Sequence, residues 1–192
     1  MPTPVMIATL QGVSLATLSN ILAQVFTAHN KHGIFKLDTI EVFRFATFSL
    51  ITTPPNFAWQ AFLERQFPSM TTANAKPTLK KATSVRSGET SEESFRLSIN
   101  NTVIKFFLDQ TLGCWINTLV FLLLLGWLKG KGTMEIENEV RDSYWSMVLS
   151  SYRFWPLVTL TNFALIPASQ RMLVGNLAGL IWGIYVNLVA AG

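Results

Sequence analysis

The first thirty residues of the chain carry no charged side chain, the first being Lys31. Within them, residues 6–28 alone are long enough, at about 1.5 Å of rise per residue, to cross a hydrocarbon core of about 30 Å as one charge-free helix. A secretory signal would need a basic region ahead of the apolar stretch, and there is none, while more apolar segments follow. The segment therefore reads as a membrane span. A cleaved mitochondrial presequence would be rich in Arg, whereas the first Arg is Arg44, so an organelle address is expected to be internal.

Composition supports the same solvent. Of 192 residues 49% are hydrophobic and only 14% charged, more apolar surface than a soluble domain of this length hides. The net charge of +4 sits at the edges of apolar segments and in connectors. Anionic lipid headgroups are the simplest counter-charge there, which argues against nucleic acid as a partner. The lone cysteine, Cys114, excludes an intrachain disulfide and a thiolate metal cluster.

Residues 45–63 are charge-free and form a second expected span. Pro54 and Pro55 remove two backbone donors from it and bend it, with Thr52 and Thr53 as candidate replacement partners. Residues 68–98 turn to Thr, Ser, Lys, Glu and Gly and read as a solvent-exposed, flexible linker. Its basic cluster, Lys76, Lys80, Lys81 and Arg86, tips this side towards the cytosol. Thr90 followed by Glu93 predicts a helix start. A third span follows over about 102–128, ending on Trp127 and Lys129 at an interface, and then a polar segment, 130–153. Residues 154–192 are broken by a single charge, Arg171, and are too long for one crossing, so they read as two helical segments parted near Pro167. The expected fold is all-α: a polytopic membrane helix bundle of about four transmembrane helices plus a short interfacial or re-entrant helix. It forms one domain, 1–192, with the linker at about 68–98.

Polar residues inside spans are the candidate functional groups. Thr17, Asn20, Gln24 and Thr27 fall on one stripe of the first helix, for hydrogen bonding between helices or for lining a pore. Lys105 and Asp109 are four apart in the third span, with Gly113 and Asn117 continuing the stripe and Gln110 beside it. A carboxylate there needs a partner, and Lys105 is the nearest in sequence: either a functional pair or an ion pair reaching water at the interface. Gly175, Gly179 and Gly183 recur every four residues and suit close helix packing inside the bundle or, as the alternative, a dimer seam. His29 and His32 lack a third ligand and read as connector residues, so no metal is expected. The segment Gly130-Lys-Gly-Thr133 lacks the spacing of a phosphate loop. No nucleophile, zinc or paired-carboxylate motif stands in any span, so neither a catalytic residue nor a cofactor is expected. The many Trp and Phe are explained by interfacial anchoring.

Several of these residues stand in an order that resembles the family of the twenty-two-kilodalton peroxisomal membrane protein and Mpv-seventeen. They are Gln24, the series Asp38, Arg44, Pro55 and Trp59, then Lys105, Asp109 and Gln110. The C-terminal run is Tyr144-Trp145, Trp155-Pro156, Asn162-Phe163, Pro167, Arg171, Trp182 and Tyr185. The resemblance implies a four-span protein of an organelle membrane, the peroxisomal membrane ahead of the mitochondrial inner membrane, with channel-like passage of small solutes. Asn20, Gln24, Asp109 and Asn117 would be its polar lining. Departures from the family pattern are Asn20 in place of an acid, Asn56 and Gln60 in place of His and Tyr, and no proline within 113–116. The long linker resembles a fungal-type branch, some members of which are associated with secondary-metabolite pathways. The alternative is a non-conducting scaffold or accessory protein, whose glycine stripe and basic linker would recruit partners or stabilise a homo-oligomer.

Overall fold

The computed structural model describes residues 2–30, 35–72 and 95–191, without the side chains of 30, 70–72, 95–97 and 186–191. His32, the basic cluster of the linker and the expected helix start at Thr90 lie outside them. Among the described residues the chain is helical apart from one short strand pair. Helix α1 (Pro4–Asn30) is followed by α2 (Thr39–Gln66), and strands β1 (Met70–Thr72) and β2 (Phe95–Leu97) pair antiparallel. The two ends of the expected linker are thus tied together. Next come α3 (Ile99–Leu108), a π-helical turn (Asp109–Gly113) and α4 (Cys114–Leu128), stacked as one 30-residue rod. Helices α5 (Thr133–Ser151), α6 (Trp155–Leu165) and α7 (Arg171–Ala191) complete the bundle, with a 3₁₀ turn (Ala168–Gln170) before α7.

By length and composition, α1 and the α3–α4 rod are the two helices among the described residues that suit a membrane crossing. Helix α1 lies between α2 and α7, α5 runs back along α4, and α3 meets α6. The segment 130–153, read only as polar, forms the full helix α5. Residues 154–192 divide as expected, because Pro167 lacks the N–H that would continue α6.

Capping explains where α2 begins. The Asp38 carboxylate accepts from the N–H groups of Ile40 and Glu41, both at 3.0 Å, and so satisfies two free donors of α2. Gln24 fixes that cap: its amide accepts from Asp38 N at 2.7 Å and donates to Asp38 O at 3.1 Å and to Asn20 Oδ1 at 2.8 Å. The polar stripe of α1 is here a clamp between α1 and the start of α2. At that same end Arg44 donates to the last carbonyls of α4 through Leu128 O, 3.1 Å, and pairs with Glu41, 3.0 Å. Lys129 joins Glu41 at 3.3 Å. Thr52 bonds to Phe48 O, and Thr53 faces Ser49 and Gly12, so neither hydroxyl serves the carbonyls that Pro54 and Pro55 release.

The π turn decides which face of α4 points inward. One extra residue per turn rotates everything after it, so the stripe that runs from Lys105 through Asp109 continues on Thr118, Leu122 and Leu125, which are buried. Asn117, expected on the inner stripe, is exposed instead. Trp155 and Trp182 pack with ring centroids 6.3 Å apart, and Phe154 stacks on Trp182, closing the junction of α6 and α7. Pro156 occupies the first turn of α6, where a missing N–H costs nothing. Pro55 is exposed on α2.

The three C-terminal glycines are not equivalent. A Cβ on Gly183 would stand 2.6 Å from Ser19 Oγ, so α7 presses on α1 there, and Ser19 donates to Leu180 O at 3.1 Å. A Cβ on Gly179 would meet nothing within 4 Å, and one on Gly175 would only touch Asn162 Nδ2 at 4.0 Å. The expected packing role of the stripe is therefore corrected to Gly183. Gly12, which the sequence reading passed over, is tighter than either: its Cβ would lie 2.7 Å from Thr53 Oγ1. Gly183→Ile is expected to cost about 1–3 kcal/mol by overpacking, and Gly179→Ile close to nothing, as measured by unfolding in micelles. Equal losses for both would contradict this packing.

Candidate solute vestibule and charged cluster

An acidic side chain ends α2, and the turn after it brings Ser69 back beneath it. Glu64 accepts from Ser69 N at 2.9 Å and from Ser69 Oγ at 3.2 Å, which fixes the carboxylate at the end of the bundle opposite Arg44. Two cations converge on it. Lys105 Nζ is 2.6 Å from Glu64 Oε2, and Arg171 Nη1 also donates to that oxygen. Both cations further donate to Ser69 Oγ, Arg171 through Nη2 at 2.8 Å. Lys105 is 0% exposed and Arg171 only 6%. Burial of such groups is tolerable only because each finds a counter-charge and further partners. The Arg171 Nε is shared by Asn162 O and Ile166 O, both at 3.1 Å, which also satisfies the last carbonyls of α6. Phe163, itself buried, lies under both: Lys105 Nζ is 4.9 Å and Arg171 Cζ 5.4 Å from its ring centroid.

Lys105 was expected to pair with Asp109. It pairs with Glu64 instead, 41 residues away and brought close by the α2–α3 connection. Asp109 is held by neutral donors. Its Oδ1 accepts from Trp59 Nε1 at 3.1 Å and Gln60 Nε2 at 3.0 Å, and its Oδ2 from Thr159 Oγ1 at 3.0 Å. Gln110 Nε2 donates to the same Thr159 hydroxyl at 3.0 Å. Gly113 makes room for this: a Cβ there would stand 3.1 Å from Trp59 Nε1 and 3.2 Å from Asp109 Oδ1. From Gln110 the network goes on, since Tyr152 OH donates to Gln110 O at 3.0 Å and Trp115 Nε1 to Tyr152 OH at 2.9 Å.

Beside these groups a cavity of about 650 Å³ opens between the start of α1, the last turns of α2 and the 3₁₀ turn leading into α7. Its wall is mainly apolar, from Ile7, Ala8, Phe57, Ala61 and Leu173, but Gln60, Glu64, Arg65 and Arg171 also line it. Gln60 thus belongs at once to the cavity and to the Asp109 network. Among the sequence candidates, the structure gathers Lys105 and Arg171 into one cluster and Trp59, Asp109 and Gln110 into another, leaving Asn20 and Gln24 at the clamp and Asn117 outside. Glu64, Ser69 and Thr159 were not anticipated, and Gln60 stood out only as a departure from the family pattern. The signal available for Glu64 was charge balance, because two cations in apolar segments require an acid, and Glu64 bounds the neighbouring span. Among the described residues no cluster of His, Cys, Asp and Glu could hold a metal.

The fold and these buried polar clusters define the class: an all-α membrane helix bundle. The sequence model of the Mpv17 / PMP22 family matches residues 126–187. "PXMP2/4 family protein 3" of Dictyostelium discoideum is 25% identical over 187 residues, 97% of this chain and 84% of that protein. "Mitochondrial inner membrane protein Mpv17" of Drosophila melanogaster is 24% identical over 93% of this chain and 92% of its own length. A "Mpv17-like protein" of Bos taurus is 32% identical over 82 residues, 43% of this chain and 41% of that protein. These findings together support membership of the Mpv17/PMP22 family. No solved structure matches it.

Proposed function

We propose that the chain is a non-enzymatic permeability protein of an organelle membrane, passing small solutes that enter through the vestibule. The observation behind this reading is the polar continuity that leads from the cavity wall across the bundle: Gln60 lines the cavity and donates to Asp109, and the chain of hydrogen bonds continues through Thr159 and Gln110 to Tyr152 and Trp115, which are exposed. In an apolar bundle such groups are kept at a cost, and a path for polar solutes gives them a use. The lining differs from that inferred at first, with Gln60, Glu64 and Arg171 taking the places of Asn20, Gln24 and Asn117. The relative named as a mitochondrial inner membrane protein makes an organelle membrane the natural setting. Co-fractionation of tagged protein with mitochondrial or peroxisomal markers decides which.

The test is current across planar bilayers containing purified protein. Discrete conductance is expected, with ion selectivity shifted in Asp109→Asn and current reduced at least several-fold in Gln60→Trp, which fills the inner end of the vestibule. Silence from verified, folded insertions would favour the second reading, a scaffold. That reading draws on the face at Gly179, where an added Cβ would meet no described residue within 4 Å and a second copy would fit.

A further inference from the structure

The vestibule combines an apolar wall with an excess of positive charge. Lys105 and Arg171 share the single carboxylate of Glu64, so two cations against one anion leave one net positive charge at the inner end. Glu64 has both oxygens occupied by Ser69, Lys105 and Arg171 and offers little repulsion to an incoming anion. A guanidinium has five N–H donors. In Arg171, Nε, Nη1 and Nη2 each commit one, which leaves two free among the described partners. Arg65, at the rim, is exposed and makes no hydrogen bond or ion pair with any described residue. The cavity volume of about 650 Å³ lies within the range of about 300–1,000 Å³ usual for small-molecule sites, which are likewise mostly apolar with a few placed polar groups.

We infer that the vestibule binds a long-chain carboxylate, its alkyl chain along Ile7, Phe57, Ala61 and Leu173 and its headgroup paired with Arg65 and the free donors of Arg171. An apolar wall alone would accept any lipid tail. The Arg65 guanidinium and the two uncommitted N–H groups of Arg171 at one end select an anionic head, and planar, forked donors such as those of Arg65 match a carboxylate in two parallel hydrogen bonds. A small inorganic anion would leave the apolar wall uncovered. This inference shares the vestibule with the permeability reading but does not require conduction.

The experiment uses the full-length protein in lipid nanodiscs of zwitterionic lipid, titrated with a fluorescent polyene fatty acid and displaced by oleate. Saturable binding is expected, displaced by oleate and at least tenfold less well by its methyl ester. Arg65→Gln should weaken binding about tenfold, and Ala61→Trp, on an exposed cavity wall, should abolish it, with secondary structure and elution volume unchanged for both. Absence of saturable binding to folded protein, or binding indifferent to both variants, overturns the inference. Equal displacement by the methyl ester or by inorganic phosphate overturns it too, the first by removing the head, the second by removing the chain. Displacement by phosphatidylglycerol in preference to oleate would replace the carboxylate by a membrane phospholipid. Conductance without fatty-acid binding would sink this inference alone, and binding without conductance would sink only the permeability reading.

Discussion

Glu64→Gln will destabilise the folded bundle by about 3–5 kcal/mol, because it leaves Lys105 and Arg171 buried side by side with no counter-charge. Glutamine keeps the shape and one acceptor oxygen, so the loss reports charge more than packing. The companion variant is Glu64→Gln with Lys105→Met. Removing one of the two cations relieves most of their repulsion, and the methionine fills much of the lysine volume over Phe163, so the double variant should recover a large part of the stability. Unfolding of the purified protein in mixed micelles, followed by circular dichroism, measures both. If the single variant unfolds within about 1 kcal/mol of the unmodified protein, the cluster is screened by water and contributes no more than an exposed pair.

The second large effect belongs to Asp109→Leu. Three donors, Trp59 Nε1, Gln60 Nε2 and Thr159 Oγ1, point at that carboxylate. Leaving a buried donor unpaired costs about 1–3 kcal/mol, so the variant should lose about 3 kcal/mol or more, with Trp59 freed to move. Asp109→Asn keeps an acceptor for Trp59 and Gln60 and can donate to the Thr159 oxygen, so about 1 kcal/mol is expected from it. Tryptophan fluorescence separates the two, since the indole N–H loses its partner only in the leucine variant. Equal stability of the two variants would mean that the donors are satisfied by water. The contrast matters for function, because it makes Asp109→Asn the usable probe of conduction.

How much of this was legible beforehand depends on the kind of interaction. The uncharged run before Lys31 and the apolar run ending at Leu128 needed only a count, because a bilayer excludes charge whatever the neighbours are. The break at Pro167 was equally local, a missing N–H. The role of Gln24 was half legible: a polar group in a span must bond to something, but that it would clamp the cap of α2 depended on how the connector turns. The Lys105–Asp109 pairing failed for a related reason. Four residues apart on one helix is close enough to pair, but Glu64 on another helix offers Lys105 a better charge, and Asp109 finds three neutral donors.

Asn117 and the glycine stripe show the limit most clearly. The 3.6-residue period put Asn117 below Asp109, and a single π turn, which no local feature announced, rotated it out and brought Thr118 in. Regular spacing made Gly175, Gly179 and Gly183 look alike, yet only the last lies against α1. By itself, then, the sequence determined the solvent of this protein, its helical class, its main breaks and the residues too polar to face lipid, because these follow from hydropathy and backbone chemistry within one segment. Which polar group meets which, which glycine is crowded and where the vestibule opens were decided by the tertiary structure alone, because they depend on helix rotation and on contacts between residues tens to more than a hundred positions apart.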